Sequence, residues 1–523
     1  MPVDAALEPD LSQVHGKAVP QPAGSQTLSP LLLLAMVIGL YSIPLLITIQ
    51  PVGEPICDPD VWWHLRVGQW VAEHHTVPDH DPFAAGNRPW VAYSWLYEVM
   101  LWGLYQTFGL AGIILYRAAF AVVTVAALHA VIRRFRPQPF VGFGLAVAGT
   151  VALAVLFSER PWLFTIALTA VTVLAVLDLR EGRVSWTVRL LPLAFIVWAN
   201  THIQFVYGLF VLGLGCVAAL IDRLLRRRSA SAETNLRAPI LLTITCALAT
   251  LVNPYHVRLY GVVYEYAMQP GPFRWVSELQ ALEFRGLSDW VVLALGGAAA
   301  FALGRRSAGG GNLQGTQGRP RLDTFEALLL VGAAIFTFRS RRDLWLLTLA
   351  SLVVLARSAT CGAASTSPRL RWGHLATATV VLSGLAGATF WLRNLREAPL
   401  RQTVARVFPA QAAELVRERG YPGPLFNDFN WGGFLIWSLP ELPVALDGRT
   451  NLHGDERTLR IGNVWAGTAG WQDDPDLSAA GVVIANVQTP LASLLLHDAR
   501  FVQVHKDDLA RVFIRRPAGG SPP

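Results

Sequence analysis

The sequence is almost without lysine. Of its 43 basic residues only Lys17 and Lys506 are lysine, so the net charge of +7 rests on arginine. It is also short of charge altogether. Charged residues make up 15% of 523 positions and apolar ones 53%, against about 25% charged in soluble domains. That deficit, with its repeated long apolar runs, excludes a soluble globular protein and marks an integral membrane protein. The positive balance does not point to nucleic acid, because the arginines sit beside the apolar runs, as membrane topology requires. The four cysteines (Cys57, Cys216, Cys246 and Cys361) lie far apart. This excludes a cysteine metal spacing and argues against a disulfide framework. No cleavable signal is evident. Residues 1–28 are polar and proline-rich, a disordered cytoplasmic tail, and the run after them is long enough to serve as an anchor.

The apolar runs place spans near 29–49, 109–131, 140–157, 162–178, 189–201, 203–222, 238–252, 289–304, 324–338, 343–357 and 374–391, about eleven in all. Five arginine clusters set the orientation: Arg133, Arg134 and Arg136; Arg180, Arg183 and Arg189; Arg223 and Arg226–Arg228; Arg305, Arg306, Arg319 and Arg321; Arg357, Arg369 and Arg371. With a cytoplasmic N-terminus all five fall on the cytoplasmic side. The loop 50–108, the turn 158–161, the loop 253–288 and everything after 391 then face outward. Arg339, Arg341 and Arg342 break the rule by falling outside. The glycine-rich stretch 307–320 reads as a linker. Beyond 392, strands at Leu425–Asn427, Val444–Leu446, Val482–Ala485, Phe501–Val504 and Val512–Ile514 alternate with helices at Gln411–Arg419 and Pro490–Asp498. The expected fold is therefore a multi-pass α-helical membrane domain over 29–391, with juxtamembrane helices in its first outward loop. A small extracytoplasmic α/β domain follows over 392–523.

The first outward loop is unlike the rest. Within 57–98 it gathers Asp58, Asp60, Asp79, Asp81 and Glu98, four histidines and five tryptophans. Acids concentrated at a membrane surface point to chemistry or ion binding. Residues 61–73 have helical character with interfacial tryptophans, so Asp60 falls at an N-cap position with His64 four residues on, sharing its face. Asp60 can thus cap a helix, or serve as a base or metal ligand above a lipid-borne substrate. Asp79 and Asp81 sit in a proline-rich turn, with a turn role and a metal role both open. Glu98 opens a second amphipathic helix, as a helix-start charge or a cavity-facing acid.

The run Asp58-Pro59-Asp60-Val61-Trp62-Trp63-His64-Leu65, followed by Val77-Pro78, Asp81-Pro82-Phe83, Trp90, Trp95-Leu96 and Glu98, resembles the first outer loop of the GT-C superfamily. These are polyprenyl-phosphate-sugar-dependent membrane glycosyltransferases that include protein O-mannosyltransferase and oligosaccharyltransferase relatives. The resemblance covers roughly 29–391. It implies a first-loop acid acting as base or metal ligand, best matched by Asp60 with Asp58 as the alternative, and a divalent Mg or Mn ion as a candidate cofactor. It also implies a polyprenyl-phosphate-sugar donor, a cell-envelope acceptor (glycan, lipid or protein) and residence in the cell membrane. His64, Arg160, Asn200 and His202 lie at outward turns as substrate-binding candidates. Arg339, Arg341 and Arg342 become candidates for the donor phosphate, which guanidinium groups bind bidentately. A transporter or flippase of envelope precursors and a non-catalytic scaffold are the competing readings. Few midmembrane charges and no inverted repeat argue against transport. Asn427, Asp428, Asp447 and Arg449 are expected to meet at one edge of the small sheet.

Overall fold

The computed structural model describes residues 29–49, 55–225, 236–308, 323–359 and 371–516. The expected tail 1–28, most of the linker 307–320, Cys361 and the arginines at 226–228, 319, 321 and 369 lie outside them. The helices run α1 Pro30–Ile49, α2 Val61–His74, α3 Trp95–Phe108, α4 Leu110–Arg134, α5 Pro139–Leu153, α6 Trp162–Arg180, α7 Trp186–Thr201, α8 Val206–Leu224 and α9 Arg237–Ala249. They continue as α10 Arg258–Met268, α11 Pro272–Trp275, α12 Leu287–Ala308, α13 Thr324–Arg339, α14 Leu344–Ser358, α15 Trp372–Leu392, α16 Glu397–Val404 and α17 Ala410–Arg419. The C-terminal part holds β1 Leu425–Asn427, α18 Gly432–Ser438, α19 Thr450–Trp465, α20 Pro475–Ala479, β2 Val482–Asn486, α21 Pro490–Leu494, β3 Phe501–Lys506 and β4 Ala510–Arg515.

Every expected span coincides with a helix. Seven helical stretches among the described residues are long and apolar enough to cross a membrane: Pro30–Ile49, Leu110–Arg134, Pro139–Leu156, Trp162–Arg180, Ile203–Leu224, Leu287–Ala308 and Trp372–Leu392. The helices α7, α9, α13 and α14 have 16, 13, 16 and 15 residues, short of the ~20 that a full crossing needs. α14 is buried nearly all round, from Leu344 to Ala356, as a helix apolar on every face should be when it sits inside a bundle. α15 is its opposite, packing on α1 with most of its surface open.

Charge sorts the two ends of the bundle. At one end Arg134 pairs with Asp178 at 3.3 Å, and Arg180 pairs with Asp222 at 2.9 Å and Asp323 at 3.0 Å. Arg306 and Arg357 both pair with Glu326 there. Members of four expected arginine clusters therefore share one end. The opposite end carries the first loop, the turn 158–161, the loop 253–288 and the C-terminal part.

The sheet has the order β1-β2-β4-β3, with β1 and β2 parallel and the other pairs antiparallel. Its alternation divides it between two cores. Val482, Ile484, Val512 and Ile514 pack in one cluster with Trp62, Leu65 and Val67 of α2. Val483, Ala485 and Phe513 face the other way onto Ile461, Leu477 and Leu491. The C-terminal part thus shares a core with the first loop.

The expected strand at Val444–Leu446 does not form. Val444 makes only isolated bridges, to Ala84 and to Leu425. The reason is that its backbone is used elsewhere: Val444 N–H donates to Phe83 O at 3.1 Å and Ala85 N–H donates to Val444 O at 3.0 Å. The segment joins the first loop to β1 rather than adding a strand to the sheet.

Candidate functional site

A buried arginine assembles the site. Arg117 of α4 donates to the carbonyls of Thr48 at 3.0 Å and Pro55 at 3.0 Å, and pairs with Glu159 at 2.7 Å. It therefore holds both Pro55, three residues before Asp58, and the turn that carries Arg160. Between them Arg160 bridges the two acids. Its Nε donates to Asp58 Oδ2 at 2.5 Å and its Nη1 to Asp60 Oδ2. Asp58 Oδ1 accepts the Asp60 N–H at 2.9 Å. Burial pushes the Asp58 carboxyl up to about 6, against the pull of Arg160.

The other face of this triad leads to a cleft. The Arg160 guanidinium lies 5.5 Å from the centre of the Trp162 ring, and Arg342 lies 5.2 Å from the same centre. Arg342 pairs with Glu278 of the loop 253–288. Burial works to raise the Glu278 carboxyl, but Arg342 and Arg160 outweigh it and hold it below its ordinary value. Trp162, Glu278, Arg341 and Arg342 line a cleft of about 300 Å³ together with Leu156 and Ser277. The two acids and an arginine-lined cavity are thus neighbours across one indole ring.

Glycines bring the C-terminal part onto the acids. A Cβ at Gly448 would run into the Asp60 carboxylate, one at Gly433 into the Pro59 carbonyl, and one at Gly432 into the Leu446 carbonyl. Next to Gly448, Arg449 is caged. It pairs with Asp81 at 2.6 Å and Asp447 at 2.8 Å, and its guanidinium lies 4.7 Å from the Trp90 ring centre and 5.6 Å from that of Phe83. His453 Nε2 meets Asp447 Oδ2 at 3.0 Å. Burial opposes ionisation of Asp447, yet Arg449 and His453 hold its carboxyl far below the usual range. The loop 253–288 closes the third side: Tyr266 donates to Asn451 Oδ1 at 3.0 Å and Gly271 N–H to Asp455 Oδ2 at 2.8 Å.

Several expectations for individual residues need correction. Asp60 occupies the N-cap position of α2 but makes no side-chain cap bond, because its carboxylate is held by Arg160. The His64 side chain is engaged by Glu98 of α3. It is buried, with Nδ1 2.9 Å from Glu98 Oε1. Burial, with the charges of Arg160, His202 and Arg449, keeps this imidazole well below its ordinary value, and burial holds Glu98 well above its own. Burial thus works against charge on both members of the pair. Asn200 spends both amide hydrogens on the carbonyls of Ile196 and Val252 and accepts from Trp95. His202 is buried against Thr165 at 2.8 Å. Asp79 is exposed and bonded to His80, whereas Asp81 is buried and accepts from Phe83 N and Ala84 N as well as from Arg449.

The arginines expected outside divide. Arg341 and Arg342 line the cleft, whereas Arg339 lies 4.6 Å over the Phe273 ring. Asn427 meets the 444–447 segment, its Nδ2 donating to Leu446 O at 2.7 Å, whereas the Asp428 carboxylate accepts from Asn430 N. Among the described residues no three His, Cys, Asp or Glu gather as metal ligands. Asp58 and Asp60 do not fit a divalent ion as they stand, since Arg160 lies where such an ion would bridge them.

Glu278, Trp162 and Gly448 carry more of the site than the sequence suggested. Glu278 is one of three acids in the loop 253–288, with Glu265 and Glu283, and nothing in the sequence singles it out. Nothing in the sequence marks Gly448.

No protein-family model matches the chain, and no curated protein matches it in sequence. Solved structures do match. A point mutant of the arabinofuranosyltransferase AftD from Mycobacteria aligns with 94% of this chain at 15% identity and a TM-score of 0.53; the chain spans 42% of AftD. The Archaeoglobus fulgidus oligosaccharyltransferase aligns with 88% of this chain and 70% of its own length, at 9% identity and a TM-score of 0.51. ArnT from Cupriavidus metallidurans, solved with undecaprenyl phosphate, covers 94% of this chain and 99% of its own at 14% identity, with a TM-score of 0.47. With its apolar helices and these first two likenesses, the chain is a membrane protein with the fold of the GT-C glycosyltransferases.

Proposed function

We propose that this protein is a cell-membrane glycosyltransferase that moves a sugar from an outward-facing polyprenyl-phosphate-linked donor to a hydroxyl of a cell-envelope acceptor. The observation that carries the reading is the shared Trp162 ring, which joins the acid-holding Arg160 to the cleft-lining Arg342. A base and a phosphate site must be neighbours for such a transfer. The acceptor oxygen bonds to the anomeric carbon while the bond from that carbon to the phosphate oxygen breaks. The acceptor proton passes to Asp60, and the polyprenyl phosphate leaves with the bonding electrons.

Arg341 and Arg342 meet the charge that builds on the departing phosphate. Arg160 orients Asp58 and Asp60 through its bonds to both. The outward assignment rests on the arginine-rich end being cytoplasmic. The test is transfer from a labelled polyprenyl-phosphate sugar by the purified full chain. Asp60→Asn should abolish transfer with donor binding intact. Full activity in both Asp60→Asn and Asp58→Asn would overturn the reading.

A further inference from the structure

The cleft beside the acids holds an anion of its own. Glu278, in the short turn Ser277–Leu279 of the loop 253–288, lines it together with Trp162 and Arg342. The Glu278 carboxylate pairs with Arg342 Nη2, and the Arg342 guanidinium lies 5.2 Å from the Trp162 ring centre. Both contacts of this guanidinium are walls of the cleft, so the guanidinium itself is at the cleft. Arg160 lies over the same indole ring, and the charges of Arg342 and Arg160 both favour the ionised carboxylate. Glu278 thus sits where two guanidiniums converge, which is the place a phosphate oxygen would take.

The other acid–arginine pair of the cleft is built differently. Arg341 pairs with Asp289 of α12 at 3.5 Å, and Asp289 is 1% exposed and accepts the Gly286 N–H at 3.2 Å. The Glu278 side chain is 34% exposed, and its carboxylate makes no hydrogen bond other than that to Arg342 among the described residues. Nor does the loop depend on that bond. Tyr266 holds Asn451, Gly271 holds Asp455, and Gln280 O accepts the Arg341 N–H at 2.8 Å. A carboxylate with one bond, on a backbone anchored elsewhere, can be exchanged for another anion while the loop stays in place.

We propose that Glu278 is an internal stand-in for the donor phosphate: it neutralises Arg342 while the cleft is empty and yields that guanidinium when the donor binds. The inference rests on the reading of this cleft as the donor-phosphate site. Glu278 is a positioning residue, acting on the donor through Arg342. Binding requires this ion pair to open, so the apparent affinity is scaled down by the fraction of chains in which it is open. The carboxylate returns to Arg342 as the polyprenyl phosphate leaves, which favours release.

The test measures transfer kinetics and the binding of radiolabelled polyprenyl phosphate by the purified full chain. Glu278→Gln keeps the side-chain shape and removes the charge. It should lower the donor KM and the polyprenyl phosphate Kd about tenfold, and inhibition by that product should strengthen to match. A residue that only braced the loop would raise KM instead. In an Arg342→Gln background the same change should move neither constant. Glu283→Gln, at an exposed acid of the same loop, should match the parent chain. An unchanged or raised Kd in Glu278→Gln would overturn the proposal. So would an equal fall in Glu283→Gln or in the Arg342→Gln background, which would make the effect diffuse repulsion. Tighter polyprenyl phosphate binding by Glu278→Gln in a chain that transfers no sugar would remove the reaction and leave this inference standing.

Discussion

Arg160 between Asp58 and Asp60, and Arg449 between Asp81 and Asp447, are one chemical motif set in two environments. The Arg449 side chain is 2% exposed and ringed by Trp63, Phe83 and Trp90. The Arg160 side chain is 13% exposed and faces a cleft across Trp162. A sealed charge triad has no substrate to meet and serves to join parts of the chain. A half-open one beside a cavity can exchange its partner for a substrate. Burial, not residue type, separates a clasp from a site, and Gly448, beside Arg449, packs against Asp60 to bring the two together.

The comparison breaks most decisively at Asp60. Asp60→Asn should lower transfer by about 10²–10⁴-fold, the usual worth of a general base, while thermal unfolding stays close to the parent chain. Arg449→Met should act the other way, on stability first. It strands two buried carboxylates, and breaking such a pair costs about 3–5 kcal/mol; differential scanning calorimetry should show early loss of the C-terminal part.

Arg342→Ala should raise the donor KM by roughly 10–100-fold, the worth of a hydrogen bond to a charged group, with little change in melting temperature. Steady-state kinetics at varied donor concentration would measure it. The smallest and most discriminating effect is with pH. Asp58 must be ionised to hold Arg160, and its carboxyl is raised to about 6. Transfer should therefore be complete above that value and fall about tenfold per unit below it. Asp447 is held far lower, so the Arg449 clasp should survive to pH 5. Tryptophan emission, reporting Trp63 and Trp90, should stay constant while activity is lost.

The membrane part was legible because apolar length and arginine placement are local signals. All eleven expected spans are helical, and described members of four arginine clusters meet at one end. What sequence could not tell is which helices are enclosed: α14 looked like any other span, and its burial depends on neighbours far away in the chain. At the candidate site, Asp58 and Asp60 were visible as an unusual pair. Their bond to Arg160 was not, because it links positions about a hundred residues apart through the Arg117 anchor. The strand expected at Val444–Leu446 had the right residues, but its hydrogen bonds went to Phe83 and Ala85. Local propensity cannot foresee such a partner.

The core shared by Trp62, Leu65 and Val67 with Val482, Ile484, Val512 and Ile514 has a consequence for how the molecule is made. Chains fold from the N-terminus as they emerge from the ribosome. The first loop is made some 400 residues before the strands that complete its packing. Trp62 waits in the same way, since it packs edge-on against Phe408 and Phe434. Assembly of the acid site is therefore a late event in biogenesis.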